Sequence, residues 1–146
     1  MNVLLIFIWV YTAMISLSFV EAYVEGRNPW DKRKVGWKIN LPRGYSFSGY
    51  HFFLFFVMIP VFMTLPLVIY GWNTRLFGIL VSSYFTGIII EDFVYFIVNP
   101  VVKFTEFWTS FTDFYPWIKI NGKKIIPYLY IIGLTISILS WYFLWR

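Results

Sequence analysis

The sequence predicts an all-α protein: a four-helix transmembrane bundle, N-out and C-out, with a short amphipathic interfacial helix between spans three and four. Three observations predict it. Of 146 residues, 60% are hydrophobic and only 13% charged, whereas a soluble domain averages roughly 45–50% apolar and about 25% charged residues. So few charges cannot clothe a water-facing surface. Four stretches, about residues 3–20, 51–70, 76–98 and 125–145, come close to or exceed the ~20 mainly apolar residues that cross a hydrocarbon core. Ten of the twelve Lys and Arg residues fall in just two of the intervening loops.

The first stretch has a loose small-residue cleavage pattern at Val20-Glu21-Ala22. It lacks a basic leader, because the first cation is Arg27, and its apolar run exceeds the ~7–15 residues of a signal-peptide core. It reads as a span. Pro60 and Pro66 lie inside the second stretch, and a kink is expected there, because neighbouring groups can satisfy the freed carbonyls of a membrane helix.

Loop 23–49 carries Arg27, Lys32, Arg33, Lys34, Lys38 and Arg43, and loop 99–124 carries Lys103, Lys119, Lys123 and Lys124. Only Arg75 and Arg146 lie on the other side. The positive-inside rule then puts both long loops in the cytoplasm. The whole chain, 1–146, is expected to be a single integral membrane domain of a prokaryotic plasma membrane. The net charge of +5 reports topology here, and no nucleic acid is expected as a partner.

The first loop, with Trp30 and Trp37 among its cations, reads as a turn-rich segment on anionic lipid headgroups; an acidic or phosphorylated partner is the alternative. No GxxxxGK[ST] occurs, so its glycines are not a phosphate loop. In the second loop Phe104, Phe107, Trp108, Phe111 and Phe114 or Tyr115 recur at three- and four-residue steps, with Thr105, Glu106, Thr109, Thr112 and Asp113 opposite. That spacing predicts the interfacial helix, with packing into the bundle as a lid as the alternative.

Charges within a span are costly and usually face a protein interior with a partner. Glu91 and Asp92 lie in span three, seven or eight residues before Asn99, about 10–12 Å from its cytoplasmic end. A stripe of Asp92, Tyr95 and Asn99 is expected on one face, with Glu91 toward a neighbouring seam. Glu21 and Glu25 end the first span and His51 opens the second. Three helices therefore bring acids and one imidazole to one layer.

Three uses of that layer stand open. Glu91, Asp92, His51, Glu21 and Glu25 could ligate a divalent zinc, iron or manganese ion, although the paired Glu-x-x-His motifs of two-metal helix bundles are absent. The acids could move protons or cations. They could also form a structural network, with Arg27 or Arg43 folding back to neutralise them and Asn99 capping backbone groups. Cysteine is absent and His51 is the sole histidine, which excludes thiolate metal sites, iron–sulfur clusters and bis-histidine haem within the chain. Ser82, Ser83, Thr86, Thr135, Ser137 and Ser140 read as helix-packing residues.

The segments EAYVEGRNPW, GYHFF and EDFVYFIVNP resemble a family of small multi-pass bacterial and archaeal membrane proteins. Its pattern has a Glu-Gly element after span one, Gly-Tyr-His opening span two, and Glu-Asp-Phe ending in Asn-Pro on span three. The likeness covers about residues 18–100 and implies no established activity. That family's pattern has a Trp-His pair where this chain has Trp117-Ile118, which weakens the metal reading. The functional expectation is a metal-, proton- or cation-handling membrane protein. An accessory or structural subunit of a larger complex, as a homo-oligomer or with other subunits, is the alternative, and a membrane metalloenzyme is the third reading.

Overall fold

The structure, a computed structural model, describes residues 2–27, 36–41 and 45–146. Of the basic-loop residues singled out above, Trp30, Lys32, Arg33, Lys34 and Arg43 lie outside them. The chain is mostly helical, with four helices long and apolar enough to cross a membrane: α1 (Val3–Glu25), α2 (Gly49–Tyr70), α3 (Thr74–Val98) and α4 (Tyr128–Trp145). Among the described residues two antiparallel strand pairs accompany the helices. Strands β1 (Lys38–Leu41) and β2 (Tyr45–Ser48) precede α2, and β3 (Trp117–Ile120) and β4 (Lys123–Pro127) precede α4.

Helix α3 is the centre. It packs along α1 on one side and α4 on the other, while α2 touches it lightly. Small residues let the backbones approach, as is usual where lipid supplies no hydrophobic drive between helices. A β-carbon on Gly87 of α3 would stand 2.9 Å from Met14 Cγ of α1, and one on Gly78 would stand 2.5 Å from Leu144 Cβ of α4. The α3–α4 seam is further tied by polar side chains. Ser82 Oγ donates to the Ser137 carbonyl and Ser140 Oγ to the Gly78 carbonyl, at 2.9 and 2.8 Å. Trp145 Nε1 donates to Ser82 Oγ at 2.8 Å. On the α1 side Tyr11 donates to Thr86 Oγ1 at 2.9 Å, so Ser82 and Thr86 make the helix–helix contacts their spacing predicts.

Helix α2 handles its prolines by widening. Residues Phe52–Met58 form a π-helical segment, and the Ile59 amide reaches back to the Leu54 carbonyl. In that register Pro60, which has no N–H, would pair with Phe55. The Tyr84 hydroxyl of α3 donates to the Phe55 carbonyl instead, so a neighbour satisfies what proline leaves open in a medium without water.

The segment expected as one amphipathic helix folds differently. Phe104–Trp108 and Ser110–Thr112 are short 3-10 turns, followed by the β3–β4 hairpin. Asn121 and Gly122 both take positive φ, 50° and 76°, as a tight two-residue hairpin turn requires. The fourth helix consequently begins at Tyr128, not near Ile125. The segment lies against the bundle as a lid: Phe107 is buried and its ring packs on Phe96, Phe93 and Trp117 at 4.9, 5.8 and 5.1 Å. Burying Phe107 between α3 and the hairpin leaves the aromatic residues too unevenly placed to share one helical stripe.

Overpacking a tight seam costs typically 1–3 kcal/mol. Gly78→Ala should therefore lower the melting temperature in detergent by several degrees. Val68→Ala, at a position 79% exposed, should leave it nearly unchanged.

Candidate functional site

The end of the bundle where α1 stops and α2 starts is built around one residue. Gly26 caps α1 at φ 57°, its amide donating to the Ala22 carbonyl. Its own carbonyl receives the Tyr95 hydroxyl at 2.5 Å and Asn99 Nδ2 at 2.9 Å. Asn99 Oδ1 in turn accepts the amides of Val101 and Val102 at 2.9 and 3.0 Å. Asn99 thus caps backbone groups as expected, and it pins the end of α1 to the end of α3.

Ser18, Glu21, Ala22 and Glu25 form the stripe that α1 buries. It faces Glu91 and Tyr95, which are four residues apart and also buried. Ser18 Oγ donates to the Glu91 carbonyl at 2.7 Å. The carboxyl groups of Glu21 and Glu91 are within side-chain hydrogen-bonding reach of each other, and the Tyr50 hydroxyl is beside Glu21. Oε1 of Glu21 and Oε1 of Glu91 are nevertheless buried with no hydrogen-bond donor among the described residues. Two ionised carboxylates only accept, so neither can satisfy the other without a proton between them.

His51 stands at the mouth of this layer. Its Nε2 is 3.7 Å from Glu25 Oε1, and its Nδ1 is 2.7 Å from Ser48 Oγ. Ser48 also accepts the His51 amide at 3.4 Å as the helix N-cap, so its hydroxyl hydrogen can point at Nδ1. That places the proton of a neutral imidazole on Nε2, facing Glu25. Ser48 is a capping residue in this arrangement.

Asp92 does not join this layer. Neighbouring helical residues diverge by about 100°, and Asp92 projects to the other seam. There the hydroxyls of Tyr115, from the lid, and Tyr130, from α4, donate to its two oxygens. The stripe on α3 is therefore Glu91, Tyr95 and Asn99, and the expected one of Asp92, Tyr95 and Asn99 is corrected. The i to i+4 step satisfies the α1 face, and the tyrosines stabilise Asp92 where it is. Burial first, and then the charge of Asp92, holds the Tyr115 hydroxyl well above its usual range, so it remains a donor. No sequence pattern pairs Tyr115 or Tyr130 with Asp92 across 23 and 38 residues.

Arg27 does not fold back on the acids. It forms a two-pronged ion pair with Glu106, 3.0 and 2.5 Å, donates to the Val101 carbonyl at 2.9 Å and lies over the Phe111 ring. The pairing holds the Glu106 carboxyl below its ordinary range. Among the described residues no three Asp, Glu or His side chains are grouped so as to hold a metal ion. No protein family, curated protein or solved structure matches the chain.

Removing one partner of a buried hydrogen bond costs about 1–3 kcal/mol. Tyr115→Phe and Asp92→Ala should each speed amide exchange across residues 104–127, and the double variant should be less than additive. Glu106 has a depressed folded value, so its contribution is present above the unfolded value of 4.5 and lost as pH falls through the folded one. Proteolysis at the Arg27–Glu106 tether should rise only on that acid side, and Glu106→Gln should flatten the profile.

Proposed function

We propose that this is a proton-handling protein of the plasma membrane, with its proton held between Glu21 and Glu91 and exchanged through Glu25 and His51. One observation carries this reading: the carboxyl groups of Glu21 and Glu91, on different helices, are within hydrogen-bonding reach, and one oxygen of each is buried with no donor among the described residues. A single proton shared between the two groups would satisfy both, and a buried acid pair is a common element of proton relays. Glu21 and Glu25 are one helical turn apart, about 6 Å, and His51 adjoins Glu25 at 3.7 Å. The groups thus form a file from the loop end of the bundle inward.

The file ends at Glu91. Beyond it Met14 fills the space against Gly87, and Met14 and Ile79 are almost fully buried. The arrangement therefore favours a site loaded from one side over an open channel. With ten of twelve cations on the loops at that end, the loading side is the cytoplasm and both termini are outside. A divalent ion at Glu21, Glu25, Glu91 and His51 is the weaker reading, because among the described residues no three of these side chains are grouped to hold one, and Asp92 is held by two tyrosines. The accessory-subunit reading draws on α2, whose Phe56, Val61, Phe62 and Val68 stand 62–79% exposed.

A pH titration followed by infrared spectroscopy should show a carboxylic-acid C=O band that Glu21→Gln or Glu91→Gln removes, while Asp92→Asn leaves it. In liposomes the same two variants should abolish any proton flux at unchanged melting temperature. Stoichiometric metal in the native-purified protein, lost in those variants, would replace the proton with an ion. If the variants change neither band, flux nor metal content, the layer is only structural.

A further inference from the structure

We infer that the hollow between the 3-10 turns and the β3–β4 hairpin binds the phosphate of an anionic phospholipid. It has a volume of about 430 Å³ and is lined by Trp108, Ser110, Lys119, Lys123 and Lys124, with Asp113 at one side. Its charge is not balanced internally. Lys124 is committed: it pairs with Asp113 at 2.8 Å and donates to the Thr109 carbonyl and, at 3.2 Å, to Thr112 Oγ1. Lys124 beside Asp113 also holds that carboxyl below its usual range, so the acid stays ionised and occupied. Lys119 and Lys123 have no ion-pair partner among the described residues. They flank the Asn121–Gly122 turn, where Lys119 lies opposite Lys124 and Lys123 opposite Ile120, and leave an excess of two positive charges beside the Ser110 hydroxyl.

Depth and composition identify the source of the phosphate as lipid. The lid rings Phe104 and Phe107 pack on Phe93 at 5.3 and 5.8 Å. Phe93 lies five residues before the end of α3, about 7–8 Å at 1.5 Å per residue, so the 3-10 segment that walls the hollow is anchored on the last turns of a span, beside which headgroups lie. Trp108, 43% exposed, forms part of its wall. A tryptophan beside lysines is a pairing that a membrane interface selects. A pocket for a free anion has no need of that exposed indole. The site is separate from the carboxyl layer and stands whether or not the layer carries protons.

The test is native mass spectrometry of the full chain in a neutral detergent, titrated separately with phosphatidylglycerol, phosphatidylcholine and inorganic phosphate. Phosphatidylglycerol should be retained in preference to phosphatidylcholine. K119Q/K123Q should weaken its tightest site about thirtyfold, roughly fivefold for each lysine near an anionic headgroup. K103Q/R75Q removes the same charge elsewhere and should leave that site intact. Equal retention by K119Q/K123Q, equal loss in both double variants, equal binding of the zwitterionic lipid, or displacement by inorganic phosphate would each overturn the assignment. Both substituted lysines are exposed, and an unchanged melting temperature confirms that the double variant is folded.

Discussion

The contact of α1 and α4 with opposite faces of α3 is the constraint on which the remaining structure depends. Both contacts rest on missing side chains: Gly87 receives Met14, Gly78 receives Leu144 and Trp145, and Gly133 of α4 lies against the Phe85 carbonyl. In lipid such packing supplies the attraction that water would supply elsewhere. It also determines where polar groups can go. Serine and threonine hydroxyls on α3 find carbonyls or hydroxyls across the seams, and the acids at its lower end must project into one seam or the other.

The adjacent acids divide between those seams. A rotation of about 100° per residue sends Glu91 toward α1 and Asp92 toward α4 and the lid. Their surroundings then differ in kind. Asp92 receives two hydroxyl donors and joins three elements into one unit, whereas Glu91 meets another carboxyl and keeps an oxygen with no partner among the described residues. Removing a partner from a buried ionic or polar group costs more than the group's presence gains, so Asp92 reads as structure. The Glu21–Glu91 pair, with one oxygen of each group lacking a donor among the described residues, is the part of the layer that this kind of structural bonding does not account for.

The sequence made the spans legible because apolar length is nearly sufficient to define a membrane helix. The layer of Glu21, Glu25, His51 and Glu91 was legible too, since topology alone brings the ends of three spans together. Register was less so. Asp92 and Glu91 fit a stripe with Tyr95 equally well at three and four residues, and only the tyrosines contributed by distant segments decide between them. The interfacial helix was misread for a different reason: aromatic spacing of three and four fits a helix and equally a run of 3-10 turns that buries Phe107 and leaves Phe104 and Trp108 exposed, with the lid packing that was the alternative. Ile120-Asn121-Gly122-Lys123 did carry a hairpin signal, obscured by reading Ile125–Pro127 as the start of a span. The π-helical widening of α2 depends on the Tyr84 hydroxyl being at hand, which no local pattern encodes.

Access to the carboxyl layer follows from how unequally its walls are held. Helix α1 is fixed to α3 by the Met14–Gly87 contact, by Ser18 on the Glu91 carbonyl, and by Tyr95 and Asn99 on the Gly26 carbonyl. Separating them would break all of these together. Helix α2 touches α3 lightly, and its bond from Tyr84 lies at Phe55, one turn beyond His51. Segments with few buried contacts open at the lowest free energy. The wall bearing Tyr50 and His51 is therefore the one whose displacement costs least, and it carries the two side chains that stand between Glu21, Glu25 and the loop face. On the proposed reading, a proton on the Glu21–Glu91 pair would exchange at a rate set by α2, while its position would be set by α1 and α3.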